Sequence, residues 1–153
     1  MRILIVSQYF YPENFKINDI TFFLNSKEFD VTVLTSKPNY PEGKFFKGYN
    51  FFNKNTEIIN GVKIIRVPTI PRLNGGTMGM ILNYLSFLFF AFFVFLFKIK
   101  NKYDLVFATL LTPATSLIPM IWIKRRFKIP VILWVLDLWP DSFYANTGFR
   151  INL

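Results

Sequence analysis

The sequence of 153 residues contains no cysteine and no histidine. Without cysteine there is no disulfide framework and no thiolate chemistry. Without histidine, the Ser-His-Asp triad and the commonest zinc ligand are both excluded, and we expect no metal site. Any acid–base chemistry must therefore come from Asp, Glu, Lys or Tyr side chains.

Acidic residues are also scarce, and the net charge of +9 is unevenly distributed. Residues 1–57 contain seven Lys and Arg against six Asp and Glu, whereas residues 58–153 contain eleven against three, a surplus of eight. Two basic clusters, each following an uncharged apolar stretch, are Lys98, Lys100 and Lys102, and Lys124, Arg125, Arg126 and Lys128. This pairing favours an anionic membrane surface over nucleic acid, for which aromatic residues would be interleaved with basic ones. Alternatively, these cations stabilise helix C-termini.

Glycine is missing from the start of the chain, where the first one is Gly43. The turn after the first apolar run therefore lacks the glycines of a dinucleotide-binding loop, and no Walker A pattern occurs anywhere. Neither an NAD site nor a P-loop is expected. The opening apolar run is also too short for a secretory signal, so we expect the first half of the chain to be cytoplasmic.

The sequence is rich in apolar residues: 52% are hydrophobic and 20% are aromatic. This content is enough for the core of one domain. Apolar runs predict buried strands of parallel type, and 3.6-residue periodicity predicts helices between them. The predicted strands cover residues 3–6, 31–34, 105–108 and 129–136. One predicted helix has Ile17, Ile20 and Leu24 on its apolar face and ends near residues 25–29, and another covers residues 112–126. Asn60-Gly61 predicts a β-hairpin with a type I′ turn. This order predicts an α/β fold with a Rossmann-like, doubly wound, mainly parallel sheet and an inserted β-hairpin.

Residues 73–97 contain no charged side chain. This segment is long enough to span a bilayer, which takes about 20 apolar residues. A span would, however, place strands of one sheet on opposite sides of the membrane, so an interfacial or partly inserted helix at residues 78–100 is favoured. A purely internal helix is the alternative, although about fifteen large apolar side chains are hard to bury in so small a domain. The predicted membrane contacts are Phe87, Phe90, Phe93, Phe97, Lys98, Lys100, Lys124 and Arg125.

Four motifs point to a protein family. In chain order they read RILIVSQYFYPEN, VTVLTSKPNYPEGK, GVKIIRVPTIPR and WVLDLWPDSF. Together they resemble the N-terminal half of GT-B glycosyltransferases of the large retaining family four. Within that family the chain is most similar to bacterial O-antigen and colanic acid enzymes of the fucosaminyltransferase type. The resemblance covers essentially the whole chain.

The resemblance implies a two-domain enzyme. Its N-terminal domain binds a lipid-linked oligosaccharide acceptor at the cytoplasmic face of the inner membrane, peripherally or partly inserted, and its C-terminal domain binds a nucleotide sugar of the UDP type. In the family, a pair of Glu residues contacts this donor, whereas the last Glu here is Glu57. We therefore expect the donor-binding domain to be absent, no cofactor to be bound by this chain, and no sugar transfer by this chain alone. A non-catalytic module that binds a membrane or a partner chain is the alternative.

The resemblance also implies site residues. The acceptor contacts would be Tyr9, Glu13 and Asn14 after the first strand, and Lys37, Asn39, Tyr40 and Lys44 after the second. Asp137, at the end of the fourth strand, would face the transferred sugar, where a carboxylate can stabilise positive charge at the anomeric carbon or orient an acceptor hydroxyl. As alternatives, Asn14 caps the next helix, residues 37–44 form a solvated loop, and Asp137 caps a loop, although Asp141 is the better cap.

Overall fold

The computed structural model describes residues 1–73, 76–100, 102–111 and 117–136. Within these residues, six strands form one mixed, mostly parallel sheet in the order β3-β4-β2-β1-β5-β6. The strands are β1 (Arg2–Val6), β2 (Asp30–Ser36), β3 (Thr56–Ile59), β4 (Val62–Val67), β5 (Leu105–Leu110) and β6 (Val131–Val135). The helices are α1 (Lys16–Ser26), α2 (Thr77–Phe97) and α3 (Leu117–Phe127). The predicted Rossmann-like α/β fold is confirmed.

The central strand β1 is buried on both faces because helices cover both sides of the sheet. It pairs in parallel with β2 and β5. Its alternate residues Leu4 and Val6 belong to a core cluster with α2 and α3, whereas Ile3 and Ile5 belong to a second cluster with α1. A continuous apolar run without alternation is typical of such a strand, so the doubly wound arrangement follows from the composition of β1.

The predicted hairpin is confirmed in the connection between β3 and β4. Asn60 and Gly61 have φ angles of 48° and 81°, and a type I′ turn requires positive φ at both positions. Strand β3 pairs antiparallel with β4, which in turn pairs in parallel with β2. The turn thus adds β3 as an edge strand to an otherwise parallel sheet.

Helix α2 is neither fully buried nor fully exposed. One face packs on the sheet, while the opposite face is open and almost entirely apolar, with exposed residues Met78, Ile81, Leu82, Leu85, Phe89, Phe92, Phe93, Leu96 and Phe97. The buried face includes the polar side chains of Asn83 and Ser86. Phe87 is completely buried among the core residues, so its predicted contact with lipid is wrong.

In the part of the chain that the structure describes, β6 is the outermost strand of the sheet, beside β5. Although it pairs in parallel as predicted, Ile132, Leu133 and Val135 are exposed. Helix α3 is described from Leu117, and Pro119 is its third residue. Its predicted beginning at Thr112 lies outside the described residues, as do Asp137 and Asp141.

Candidate functional site

The carboxyl ends of β1, β2 and β4 meet at one edge of the sheet, where parallel α/β proteins bind their ligands. The segments that follow these strands contact one another there. The backbone N–H of Ser36 donates to the carbonyl of Gln8 at 3.1 Å, and the Arg66 guanidinium donates to the carbonyls of Ser36 and Tyr11. Residues from three distant parts of the sequence therefore form one compact edge.

Glu13 joins the first two of these segments. Its carboxylate accepts hydrogen bonds from the backbone N–H groups of Asn39 and Tyr40, both at 2.8 Å, and of Phe10 at 3.3 Å. The side chain is only 2% exposed. Burial raises the pKa of Glu13 to about 7, and the three N–H groups act in the opposite direction. Glu13 is thus directed into the protein, where it holds the two loops together.

A chain of amide side chains connects this edge to helix α2. Gln8 donates to the Asn83 side-chain oxygen at 3.0 Å, and Asn83 donates to the carbonyl of Ile70 at 2.6 Å. The side-chain oxygen of Asn39 accepts from the backbone N–H of Arg72 at 3.2 Å and from Asn83 at 3.4 Å. Because Gln8, Asn39 and Asn83 are all buried, this network sets the position of α2 relative to the loops.

An aromatic cluster surrounds Arg72 at the same edge. The guanidinium carbon lies 5.3 Å from the ring centroid of Tyr40 and 5.6 Å from those of Tyr9 and Tyr84, distances typical of cation–π contacts. Arg72 also donates to the Tyr84 hydroxyl at 2.6 Å. Phe15 stacks on Tyr9 and contacts Tyr40. We call these five residues the Arg72 cluster.

The Arg72 cluster contains hydrogen-bonding atoms without partners. Within the described part of the chain, Nε of Arg72 and the hydroxyl of Tyr9 are buried and form no regular hydrogen bond. Burial raises the pKa of Tyr9, and the neighbouring Tyr84 raises it further. An unsatisfied buried polar group costs about 1–3 kcal/mol. A ligand oxygen that reached these two donors would remove that cost.

A second polar group lies on the other side of the edge, around Arg66. Arg66 is 1% exposed and forms an ion pair with Glu57, whose carboxylate also accepts from the Tyr49 hydroxyl at 3.1 Å. Lys37 is buried nearby and donates to the carbonyl of Asn53 and to the side-chain oxygen of Asn55. Burial, and then repulsion from Arg66, lowers the pKa of Lys37 to about 8.

The predicted acceptor residues divide into an inward and an outward group. Tyr9, Glu13, Lys37 and Asn39 are buried, and the last three form hydrogen bonds that connect the loops. Asn14, Tyr40 and Lys44 are exposed. Asn14 does not cap α1, because the N-cap residue is Phe15 and no side chain caps the helix.

Arg72, Tyr84 and Arg66 lie at the centre of this edge, and none of them was predicted from the sequence as a site residue. Arg72 closes the motif GVKIIRVPTIPR, but nothing local shows that three tyrosines surround it. Asn83 could have been identified from the sequence, because it and Ser86 are the clearly polar side chains within the apolar residues 80–97. Asn18 is also missed: its amide accepts from the N–H of Tyr11 and donates to the carbonyl of Glu13.

Among the predicted membrane contacts, Phe93, Phe97, Lys98, Lys100, Lys124 and Arg125 are exposed, Phe90 is partly buried and Phe87 is buried. By length and composition, α2 qualifies as a candidate membrane span, with a mean hydropathy of 2.3 over its most apolar window, of which one third is buried. The core helix of a soluble protein can satisfy the same criterion.

No family model matches this chain, and no curated protein matches it in sequence.

Proposed function

We propose that this chain is the acceptor-binding half of a retaining glycosyltransferase. The complete enzyme would transfer a sugar from a UDP-type donor to a lipid-linked glycan in bacterial O-antigen or related surface-polysaccharide synthesis. The resemblance of the four motifs suggests this family. The observation that carries the proposal is the position of the Arg72 cluster at the carboxyl edge of the sheet, where Arg72 lies five residues before α2 begins at Thr77.

The chemistry of the Arg72 cluster suits an acceptor with a sugar and a phosphate. Tyrosine rings offer apolar faces on which the C–H faces of a sugar ring pack, and Tyr40 is 39% exposed for this contact. The Arg72 guanidinium is planar and can donate two parallel hydrogen bonds to a phosphate group. A diphosphate-linked sugar presents both kinds of group next to each other.

The polarity of α2 supports a membrane-bound acceptor. In a helix that faces water, polar residues lie outward. In α2 the arrangement is reversed, with Asn83 and Ser86 buried and the exposed side chains after Thr77 apolar. Because the opposite face packs on the sheet, lipid contact along the exposed face gives a peripheral or partly inserted domain rather than a span. Lys98 and Lys100 would then lie at the anionic cytoplasmic surface.

Direct binding tests this proposal. The ligand is a short-chain prenyl diphosphate carrying an N-acetylated amino sugar, and affinity is measured by calorimetry with the detergent-solubilised chain. Charge-assisted hydrogen bonds contribute about 1.5–3 kcal/mol, so Arg72→Gln is expected to weaken binding about tenfold or more. Arg125→Gln is the matched control, because Arg125 is exposed on α3 outside the cluster. Equal affinity of the wild type and Arg72→Gln would contradict the assignment.

A non-catalytic membrane module is the second candidate, favoured by the exposed apolar face of α2. Co-expression with a separately encoded donor-binding half distinguishes the two. Sugar transfer that requires both polypeptides, and that is lost with Arg72→Gln, supports the acceptor half. Membrane attachment without acceptor binding or transfer supports the module.

A further inference from the structure

A belt of aromatic rings crosses three elements on the side of the sheet that α2 and α3 cover. The ring centroids of consecutive members lie between 5.0 and 5.9 Å apart. The members are Phe52 and Phe51 in the turn before β3, Phe90, Phe89, Phe93 and Phe92 on α2, and Trp122 on α3. We call these seven residues the aromatic belt. It continues the apolar surface of α2 sideways onto two other elements, and Phe52 at its end is 82% exposed.

The turn of residues 50–53 holds Phe52 in a fixed position. The Asn50 side-chain oxygen accepts from the backbone N–H of Phe52 at 2.9 Å and from that of Asn53 at 2.8 Å. The Asn53 side-chain oxygen accepts from the backbone N–H of Asn50 at 2.8 Å. The buried Lys37 side chain donates to the carbonyl of Asn53 and so ties the turn to the sheet. Because these three N–H groups are satisfied inside the turn, it can enter a lipid interface without leaving them unpaired.

Positive charge flanks the turn. Residues 41–55 contain three lysines against one acidic residue, Glu42. Lys47 and Lys54, one on each side of the turn, are exposed, and the Lys54 Nζ lies 4.3 Å from the ring centroid of Tyr49. An aromatic tip between lysines fits the surface of an anionic bilayer, where the ring enters the headgroup region and the ammonium groups meet lipid phosphates. The chemistry of the turn therefore matches that expected of the partner of α2.

We propose that Phe52 and the turn of residues 50–53 insert into the interface of an anionic bilayer, as a second membrane contact beside α2. The contact depends on the membrane association of α2 in the proposed function and adds a second element to it. A helix that lies alone in the interface can roll about its own axis. A second contact beside that axis fixes the roll, so that the α2 side of the sheet is directed toward lipid and the α1 side toward water.

The absence of cysteine allows one label to be placed at a chosen position. A nitrobenzoxadiazole label at Phe52→Cys is expected to shift its emission to shorter wavelength on vesicles of phosphatidylethanolamine and phosphatidylglycerol, and to be quenched by nitroxide-labelled lipid. Leu85→Cys reports on α2 in the same way. Phe23→Cys is the matched control, because Phe23 is 60% exposed on α1, which covers the opposite face of the sheet. Its label should stay in water.

Flotation with the same vesicles measures how much the tip contributes. Phe52→Ser is expected to weaken the partitioning of the full chain about tenfold, because an exposed ring no longer leaves water on binding. Phe52→Trp keeps an aromatic ring and should partition as the wild type does, and so should Phe23→Ser. Since Phe52 is so exposed, Phe52→Ser should keep the wild-type circular dichroism spectrum.

The two labels distinguish the second contact from the proposed function. If the label at Phe52→Cys stays in water while that at Leu85→Cys enters lipid, the second contact is overturned and the contact of α2 stands. Labels in water at both positions would contradict both contacts. Equal partitioning of Phe52→Ser and the wild type would also overturn the second contact, and a blue shift that grows with protein concentration without vesicles would identify a second copy of the chain as the partner. Phe52→Ser should still bind the soluble acceptor in detergent, since Phe52 lies outside the Arg72 cluster.

Discussion

The buried carboxylate of Glu13 should give the folding stability an unusual pH dependence. The pKa of Glu13 rises from its ordinary value of 4.5 to about 7 in the folded protein, because burial disfavours the charged form. Between these two pH values the unfolded chain has released this proton and the folded chain has kept it. The free energy of unfolding therefore falls as pH rises through this window.

The size of the effect follows from the shift. A difference of about 2.5 pH units, at 1.36 kcal/mol per unit, corresponds to about 3 kcal/mol of stability lost between pH 4.5 and 7. Glu13→Gln does not titrate, so this part of the slope should disappear. The amide oxygen of Gln can still accept from Asn39 and Tyr40, but its NH₂ group cannot accept from Phe10, which costs about 1–3 kcal/mol.

Urea unfolding followed by circular dichroism, at intervals from pH 4.5 to 8, measures both effects. Glu42→Gln is the matched control, since Glu42 is exposed in the loop after β2 and should retain the wild-type slope. A wild type that becomes more stable from pH 4.5 to 7, with that gain removed by Glu13→Gln, would contradict a raised pKa of Glu13. In that case the three backbone N–H groups would outweigh the effect of burial and hold the pKa of Glu13 below its ordinary value.

Three further predictions concern single positions. The pKa of Lys37 is lowered from 10.5 to about 8, so unfolding measurements should show stability rising with pH across that interval in the wild type and not in Lys37→Gln. Gly79→Ala should destabilise the protein by about 2 kcal/mol or more in urea unfolding, because its Cβ would lie 2.2 Å from the carbonyl oxygen of Arg72, whereas Gly76→Ser, in open space, should not. Gly61→Ala should cost about 1 kcal/mol in the same assay, since φ is +81°.

The features that depend on local chemistry were predictable from the sequence. The apolar run of β1 indicates a strand buried on both faces. Asn60-Gly61 specifies the turn between β3 and β4, because few other residue pairs adopt the positive φ angles that this turn requires. The length and lack of charge of α2 are also local properties. Sequence order also predicted that the loops after β1 and β2 lie together, because the carboxyl ends of parallel strands meet at one edge, and these loops do contact each other.

What each side chain faces was decided by the tertiary structure. Glu13 looks like an exposed loop carboxylate in the sequence, but it turns inward because backbone N–H groups 26 and 27 residues away converge on it. Phe87 and Phe89 are equivalent by composition, yet one is buried and the other exposed, since an apolar helix has no polar stripe to mark its outer face.

The Arg72 cluster could not be predicted from the sequence either. Its members come from the loop after β1, the start of α1, the loop after β2, the segment after β4 and α2, and no spacing in the sequence relates them. Only the parallel pairing of β1, β2 and β4 brings these segments to one edge. The sequence by itself therefore determined the strands, the hairpin and the apolar helix, whose physical causes act over a few residues. The packing of the sheet determined which side chains meet, because those contacts span up to 102 residues of chain.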